Sequence, residues 1–134
     1  MNEQETLIAV KRLHVALDRA DIPALRDAIT DDVEWEMYGV ASLPFGGLRV
    51  GKEQVVAWYN QLLSTCKITR VDRREYVTQG DTCVALGFAD GRVRASGRSF
   101  TTEWAQAFTV RDGKVCRFRE FFDSAALLAA ARTD

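Results

Sequence analysis

One acidic residue stands where it could move protons. In the run Arg117-Phe118-Arg119-Glu120-Phe121-Phe122, strand alternation puts Phe118, Glu120 and Phe122 on one face, and Arg117, Arg119 and Phe121 on the other. A carboxylate between aromatic rings loses hydration. That raises its pKa and suits it to acid–base work near neutral pH. The same pattern also fits a carboxylate paired with an arginine or tyrosine and doing no chemistry. Trp35 and Trp104 fall on faces assigned inward, Trp104 together with Gln106. With Phe118 they could stack on a flat aromatic ligand, or simply fill a core. Tyr38 and Tyr59 offer phenol donors to a ligand carbonyl, or serve surface and loop roles. Glu103, next to Trp104, points the other way.

Other chemical signals are weaker. His14 is the only histidine, so a His-based metal site lacks its second ligand, and a structural role at the core edge is the simpler reading. Cys66, Cys83 and Cys116 are far apart and form no CxxC pair, which points to free thiols in a reducing compartment. Gly46-Gly47-Leu48-Arg49-Val50-Gly51-Lys52 matches GxxxxGK by chance: Glu53 stands where the magnesium-binding hydroxyl belongs. Glu53 instead suits the positive start of a helix. Arg70, Arg73, Arg74, Arg92, Arg94 and Arg98 interleave with Asp72, Glu75 and Asp90, which reads as a solvated, salt-bridged sheet face.

The elements that must position these residues follow one another along the chain. Leu7, Val10, Leu13, His14 and Leu17 recur at helical spacing and predict a helix over 3–20. Asp21 suits an N-cap, with Pro23 in the first turn of a short helix to about Ile29. Thr30-Asp31-Asp32 reads as a break. Val33, Trp35 and Met37 alternate with Glu34 and Glu36 as a half-buried strand. Residues 39–50 read as a loop, and a third helix follows over about 52–64. Strands are predicted at 67–79, 82–95, 99–111 and 114–122. Gly80-Asp81 and Asp112-Gly113 serve as tight turns, and Ala89-Asp90-Gly91 as a bulge or extra turn. Ser124 reads as the N-cap of a last helix to about Ala131. The order predicts one α+β domain with helices on one face of a curved antiparallel sheet, and an apolar cavity between them.

Composition bounds the class. The 134 residues are 47% hydrophobic and 28% charged, with nine glycines and two prolines, which excludes general disorder and collagen-like chains. Eighteen basic and nineteen acidic residues leave a net charge of -1, so there is no overall field for nucleic acid or an anionic membrane. No apolar run approaches the roughly 20 residues of a membrane helix. The acidic start, Met1-Asn2-Glu3-Gln4-Glu5, is unlike a signal peptide, and a cytoplasmic location is the expectation.

Three segments and a closing run carry a family resemblance. They are Thr30-Asp31-Asp32-Val33-Glu34-Trp35, then Gly51-Lys52-Glu53, then Phe108-Thr109-Val110-Arg111-Asp112-Gly113-Lys114-Val115, and finally Arg119-Glu120-Phe121-Phe122-Asp123. In order and spacing the chain resembles the nuclear transport factor 2-like superfamily, specifically its SnoaL-like, ketosteroid-isomerase-related proteins. The resemblance covers essentially the whole chain. It implies a conical cup of a curved sheet packed on three N-terminal helices, a deep pocket, and a homodimer packed through the sheet's outer face. Glu120 falls where SnoaL-like cyclases and limonene-epoxide-hydrolase-like enzymes carry an acid–base aspartate. Ketosteroid isomerases would place their oxyanion tyrosine, catalytic aspartate and second oxyanion aspartate near Leu13, Met37 and Gln106. Leu13 and Met37 cannot do that work, whereas Gln106 can still donate to a carbonyl. The hydrolase's polar positions fall near Trp35 and Met37, and its Arg-x-Asp pair near Gly87 and Ala89, with Asp90 and Arg92 close by.

The leading expectation is a small-molecule enzyme. Glu120 moves a proton next to a carbonyl, Gln106 or Tyr38 polarises the oxygen, and Trp35, Met37, Leu13, Tyr59, Trp104 and Phe118 hold an apolar or aromatic ligand. No cofactor, metal, nucleic acid or membrane is implied. The alternatives are a non-catalytic ligand-binding module in the same cup, or a dimerisation domain with the cup filled.

Overall fold

The structure, a computed structural model, describes residues 2–133. Helix α1 (Glu3–Asp18) opens with a reciprocal cap: the Glu5 N–H donates to the Asn2 side chain (2.8 Å), and the Asn2 N–H donates back to Glu5 (3.4 Å). Helix α2 (Ile22–Ala28) starts at Asp21, whose carboxylate accepts from the Ala24 N–H at 3.1 Å. Strand β1 (Ile29–Met37) follows without a gap. Thr30-Asp31-Asp32, read as a break, therefore lies inside the strand, where its side chains are exposed or half-buried and contribute no apolar signal.

Within the segment read as a loop, Gly47–Val50 forms edge strand β2, antiparallel to β1. Four residues are too few for an alternation pattern to register. Helix α3 (Lys52–Thr65), β3 (Cys66–Gln79), β4 (Thr82–Val93), β5 (Ser99–Arg111), β6 (Lys114–Phe122) and α4 (Ser124–Ala131) complete the chain. The N-cap of α4 is Asp123 rather than Ser124: its carboxylate accepts from the Ala126 N–H at 3.1 Å. Asp112 (φ 54°) and Gly113 (φ 78°) make the β5–β6 turn in the left-handed region, as that dipeptide predicts. Ala89-Asp90-Gly91 forms no extra turn but is continuous β4, and the irregularity opposite Asp90 and Gly91 is carried by β3. The irregularities in that pairing lie on β3, between Ile68 and Arg70 and between Arg73 and Glu75.

The strands form one curved, unclosed sheet in the order β2-β1-β6-β5-β4-β3. It is antiparallel throughout except where β1 runs parallel to β6, so the sheet is mixed. Helices α1 and α3 pack on its inner face, and α4 packs against β4 and β5. Trp35, Phe45, Phe108, Phe118 and Leu13 are the largest fully buried side chains of the core.

Candidate active site

Cross-strand register lines up one row of side chains. Met37 of β1 lies opposite Glu120 of β6, Glu120 opposite Gln106 of β5, Gln106 opposite Ala85 of β4, and Ala85 opposite Tyr76 of β3. Directly opposed residues share a face and sit about 5 Å apart, so the row is continuous. Gln106 donates from its amide nitrogen to Glu120 Oε1 at 2.5 Å. The gap over small, buried Ala85 is filled by His14 of α1. His14 Nε2 is 2.8 Å from Gln106 Oε1, and His14 Nδ1 is 2.9 Å from the Tyr76 hydroxyl. An edge-to-face contact with Phe108, ring centroids 5.3 Å apart, fixes the imidazole from the side.

Beside this row opens a cavity of about 560 Å³. Its walls are mostly apolar, with Met37, Trp58, Tyr59, Trp104, Phe118 and Phe122 among them. Gln106, Glu120 and the Arg73–Asp18 pair supply polar atoms. The volume is typical of a small-molecule site. Glu120 lies deep in the molecule yet keeps part of its surface open to the cavity. Burial pushes its carboxyl up to about 7, against the opposing pull of the Gln106 hydrogen bond and the more distant charge of Arg73. Glu120 makes no ion pair among the described residues. Arg73 is held instead by Asp18, through two hydrogen bonds of 2.7 and 2.9 Å. Burial, helped by Arg73, takes His14 down to about 4, so its ring is neutral at pH 7.

The anticipated residues divide into two groups. Glu120, Gln106, Met37, Tyr59, Trp104 and Phe118 line the cavity. Trp35, Leu13 and Tyr38 do not. Trp35 points inward but one row deeper, stacked on Phe118 at 3.9 Å and sealed beneath Trp58. Leu13 is wholly buried in the core beneath the cup. Tyr38 follows Met37 and so turns to the outer face, where it stacks on Phe121 at 4.8 Å and cannot reach a ligand oxygen inside. The Tyr59 hydroxyl is already spent, donating to the Leu17 carbonyl, so only its ring faces the cavity. Gln106 has its carbonyl and one amide hydrogen engaged, which leaves a single N–H for a ligand.

Sequence reasoning missed His14 as a member of the site, along with Tyr76 and Arg73. Only the helical position of His14, facing inward with Val10, Leu13 and Leu17, hinted at it. Of the other middle-strand arginines, Arg70 and Arg74 pair with Asp72 on the outer face as read, whereas Arg94 donates to the Leu63 carbonyl. Gly51 of the GxxxxGK match caps α3 at φ 87°, and Lys52 pairs with Asp31. Among the described residues no cluster of three His, Cys, Asp or Glu side chains is placed to hold a metal ion. No helix among them is long and apolar enough to cross a membrane.

Residues 10–118 match the model of the SnoaL-like domain. The chain belongs to the SnoaL-like family. Among solved structures, this SnoaL-like chain is similar to an NTF2-like protein of Burkholderia xenovorans LB400, with 32% identity and a TM-score of 0.91 over 98% of this chain and 99% of that one. It also resembles TerC, co-crystallised with polyporic acid (23% identity, TM-score 0.85, 95% of this chain and 98% of that one). An LEH-like epoxide hydrolase of M. tuberculosis shares the fold at 16% identity and a TM-score of 0.75, over 96% of this chain and 90% of that one. No curated protein matches the chain. The α+β cone anticipated from the sequence is thus the observed fold, and enzymes occur among its structural neighbours.

Proposed function

We propose that this chain is a cofactor-independent enzyme in which Glu120 transfers a proton at a carbon next to a carbonyl, on an apolar and aromatic substrate. One observation carries the reading. Glu120 is a carboxylate facing an apolar cavity, hydrogen-bonded to an amide and without an ion pair among the described residues. A structural carboxylate would be neutralised by a cation, and Arg73, the cation at hand, is engaged by Asp18. With its pKa near 7, the group is poised to accept and return a proton at working pH.

The roles follow from the geometry. Glu120 takes the carbon-bound proton, and the electron pair of that C–H bond passes to the carbonyl as an enolate. The remaining Gln106 N–H donates to the oxygen, and the positive charge of Arg73 favours the developing anion. Where a carbon–carbon double bond extends the enolate to a dienolate, return of the proton from Glu120 at the far carbon completes an isomerisation; attack of the enolate carbon on a second carbonyl of the substrate, whose oxygen takes the electron pair and then the proton from Glu120, gives a cyclisation. Trp104, Phe118 and Tyr59 supply flat apolar walls. That TerC was crystallised with polyporic acid favours an aromatic ligand class. The stacked Tyr38–Phe121 pair on the outer sheet face, with Phe121 44% exposed, supports a second copy of the chain as its partner.

The test is proton exchange. 2-Tetralone, a bicyclic aromatic ketone, is incubated in D2O and followed by NMR. The wild type should accelerate exchange of the protons next to the carbonyl, and Glu120→Gln should lose about 10²–10⁴-fold of that rate. Tight binding with equal exchange in both proteins would reject catalysis and leave a ligand-binding module.

A further inference from the structure

We propose that Tyr76, His14 and Gln106 form a hydrogen-bond chain that reverses its direction when Glu120 gains or loses a proton, which makes His14 and Tyr76 positioning residues for the cavity carboxylate. The purpose of the chain rests on the acid–base reading above; its existence does not.

Three contacts of 2.9, 2.8 and 2.5 Å link the four side chains, and none of the four makes another side-chain hydrogen bond among the described residues. With Glu120 ionised, only one direction satisfies every group. Tyr76 donates to Nδ1, Nε2–H donates to the Gln106 carbonyl oxygen, and the Gln106 amide nitrogen donates to the carboxylate. With Glu120 protonated, the carboxyl donates to a Gln106 rotated about its last torsion. The amide nitrogen then donates to bare Nε2, and Nδ1–H donates to the Tyr76 oxygen. A phenol, an imidazole and a carboxamide each donate and accept, so all three contacts survive in both directions. A backbone group or a lysine in any of these places would lock one direction and penalise the other protonation state.

The proton count balances. One proton is added, at Glu120. His14 surrenders the proton on Nε2 and receives one on Nδ1 by exchange with solvent protons, so its ring stays neutral. Tyr76 keeps its proton and turns its O–H away.

The surroundings make tautomer exchange, rather than charging, the available response. The groups facing the chain are Arg73 of β3, Asp18 and Lys11 of α1, and Cys83 of β4. From the cavity side come Tyr59 of α3 and Cys66 of β3, both kept neutral by burial. Arg73 opposes a charged imidazole more than Asp18, one helical turn along α1, favours it, and His14 resists protonation down to about 4. Glu120 therefore changes charge while His14 stays uncharged. Ala85 beneath the ring is the geometric condition, since a larger residue in that row would displace the imidazole.

Because His14 is the only histidine, every imidazole nitrogen signal of the untagged protein belongs to it. The experiment is a 15N titration of that ring from pH 5 to 9, alongside the 13C carboxyl signal of Glu120. The protonated and bare nitrogen signals should exchange places, with the same midpoint as Glu120. In Gln106→Met, which cuts the chain with little change in volume, Glu120 should still titrate while the His14 tautomer stays constant. Three results overturn the proposal: an unchanged tautomer while Glu120 titrates, an exchange that persists in Gln106→Met, or an imidazolium forming within this range. A tautomer that follows Glu120 at a midpoint between 5 and 6 keeps the chain and removes the acid–base role at neutral pH, so the two readings fail separately.

Discussion

Burial raises the Glu120 carboxyl because the charged form loses water that one amide hydrogen and a distant guanidinium replace only in part. The base form needed for proton abstraction exists above that pKa. The kcat/KM of wild-type exchange should therefore rise with pH and level off, with an apparent pKa of about 7. Arg73 pulls that value down, and the sign of its removal follows. Arg73→Met should shift the rate profile to higher pH, and should also make His14 easier to protonate. A profile that moves to lower pH would reject the electrostatic role. Near-complete loss of rate at every pH would instead show Arg73 acting on the substrate itself.

At the scale of elements, the site depends on how closely β3, β4 and β5 approach. A Cβ on Gly87 would lie 2.1 Å from the Asp72 carbonyl oxygen and 2.7 Å from a ring carbon of Trp104. Backbone, not a flexible side-chain end, blocks that space. Gly87→Ala should therefore push the β3–β4 pairing apart and cost about 1–3 kcal/mol by overpacking. Denaturant unfolding measures that cost, and binding of 2-tetralone should weaken with it because Trp104 forms a cavity wall. Helix α4 lends Leu127 to the same cavity and is started by Asp123. Asp123→Ala removes that cap and should cost about 1 kcal/mol while leaving the pH profile of the exchange reaction in place.

For the whole molecule, the two perturbed groups act against each other. Glu120 has a folded pKa above its ordinary 4.5, so its contribution to stability is full below 4.5 and is lost as pH rises to about 7. His14 has a folded pKa below its ordinary 6.5, so its contribution is full above 6.5 and is lost as pH falls to about 4. Between 4.5 and 6.5 the two slopes cancel, and this pair leaves stability flat with pH. Glu120→Gln should remove one side of the balance. Its stability should fall as acid is added from 6.5 to 4, and it should exceed the wild type at pH 8, read by thermal unfolding at each pH. Association belongs to the same scale. If copies pair through the outer sheet face, Phe121→Asp should convert a dimer to a monomer in sedimentation, with Glu120, on the opposite face, undisturbed.

The chain's own sequence determined what depends on near neighbours. Helical spacing placed α1 and α3, alternation assigned Phe118, Glu120 and Phe122 to one face, and Asp112-Gly113 set a tight turn, because each is decided by local backbone geometry. Short edge strand β2 escaped, because four residues carry too little pattern. Tyr38 was legible from alternation alone, one residue past inward Met37. Tertiary structure decided the rest. Whether Trp35 reached the cavity or the core depended on Trp58 and Phe118 closing over it. Register across four strands put Glu120, Gln106, Ala85 and Tyr76 in one row, and α1 lowered His14 into the gap. These partners are 14 to 92 positions apart in the chain, so no local periodicity links them; only the paired strands and the packed helix bring them within hydrogen-bond reach.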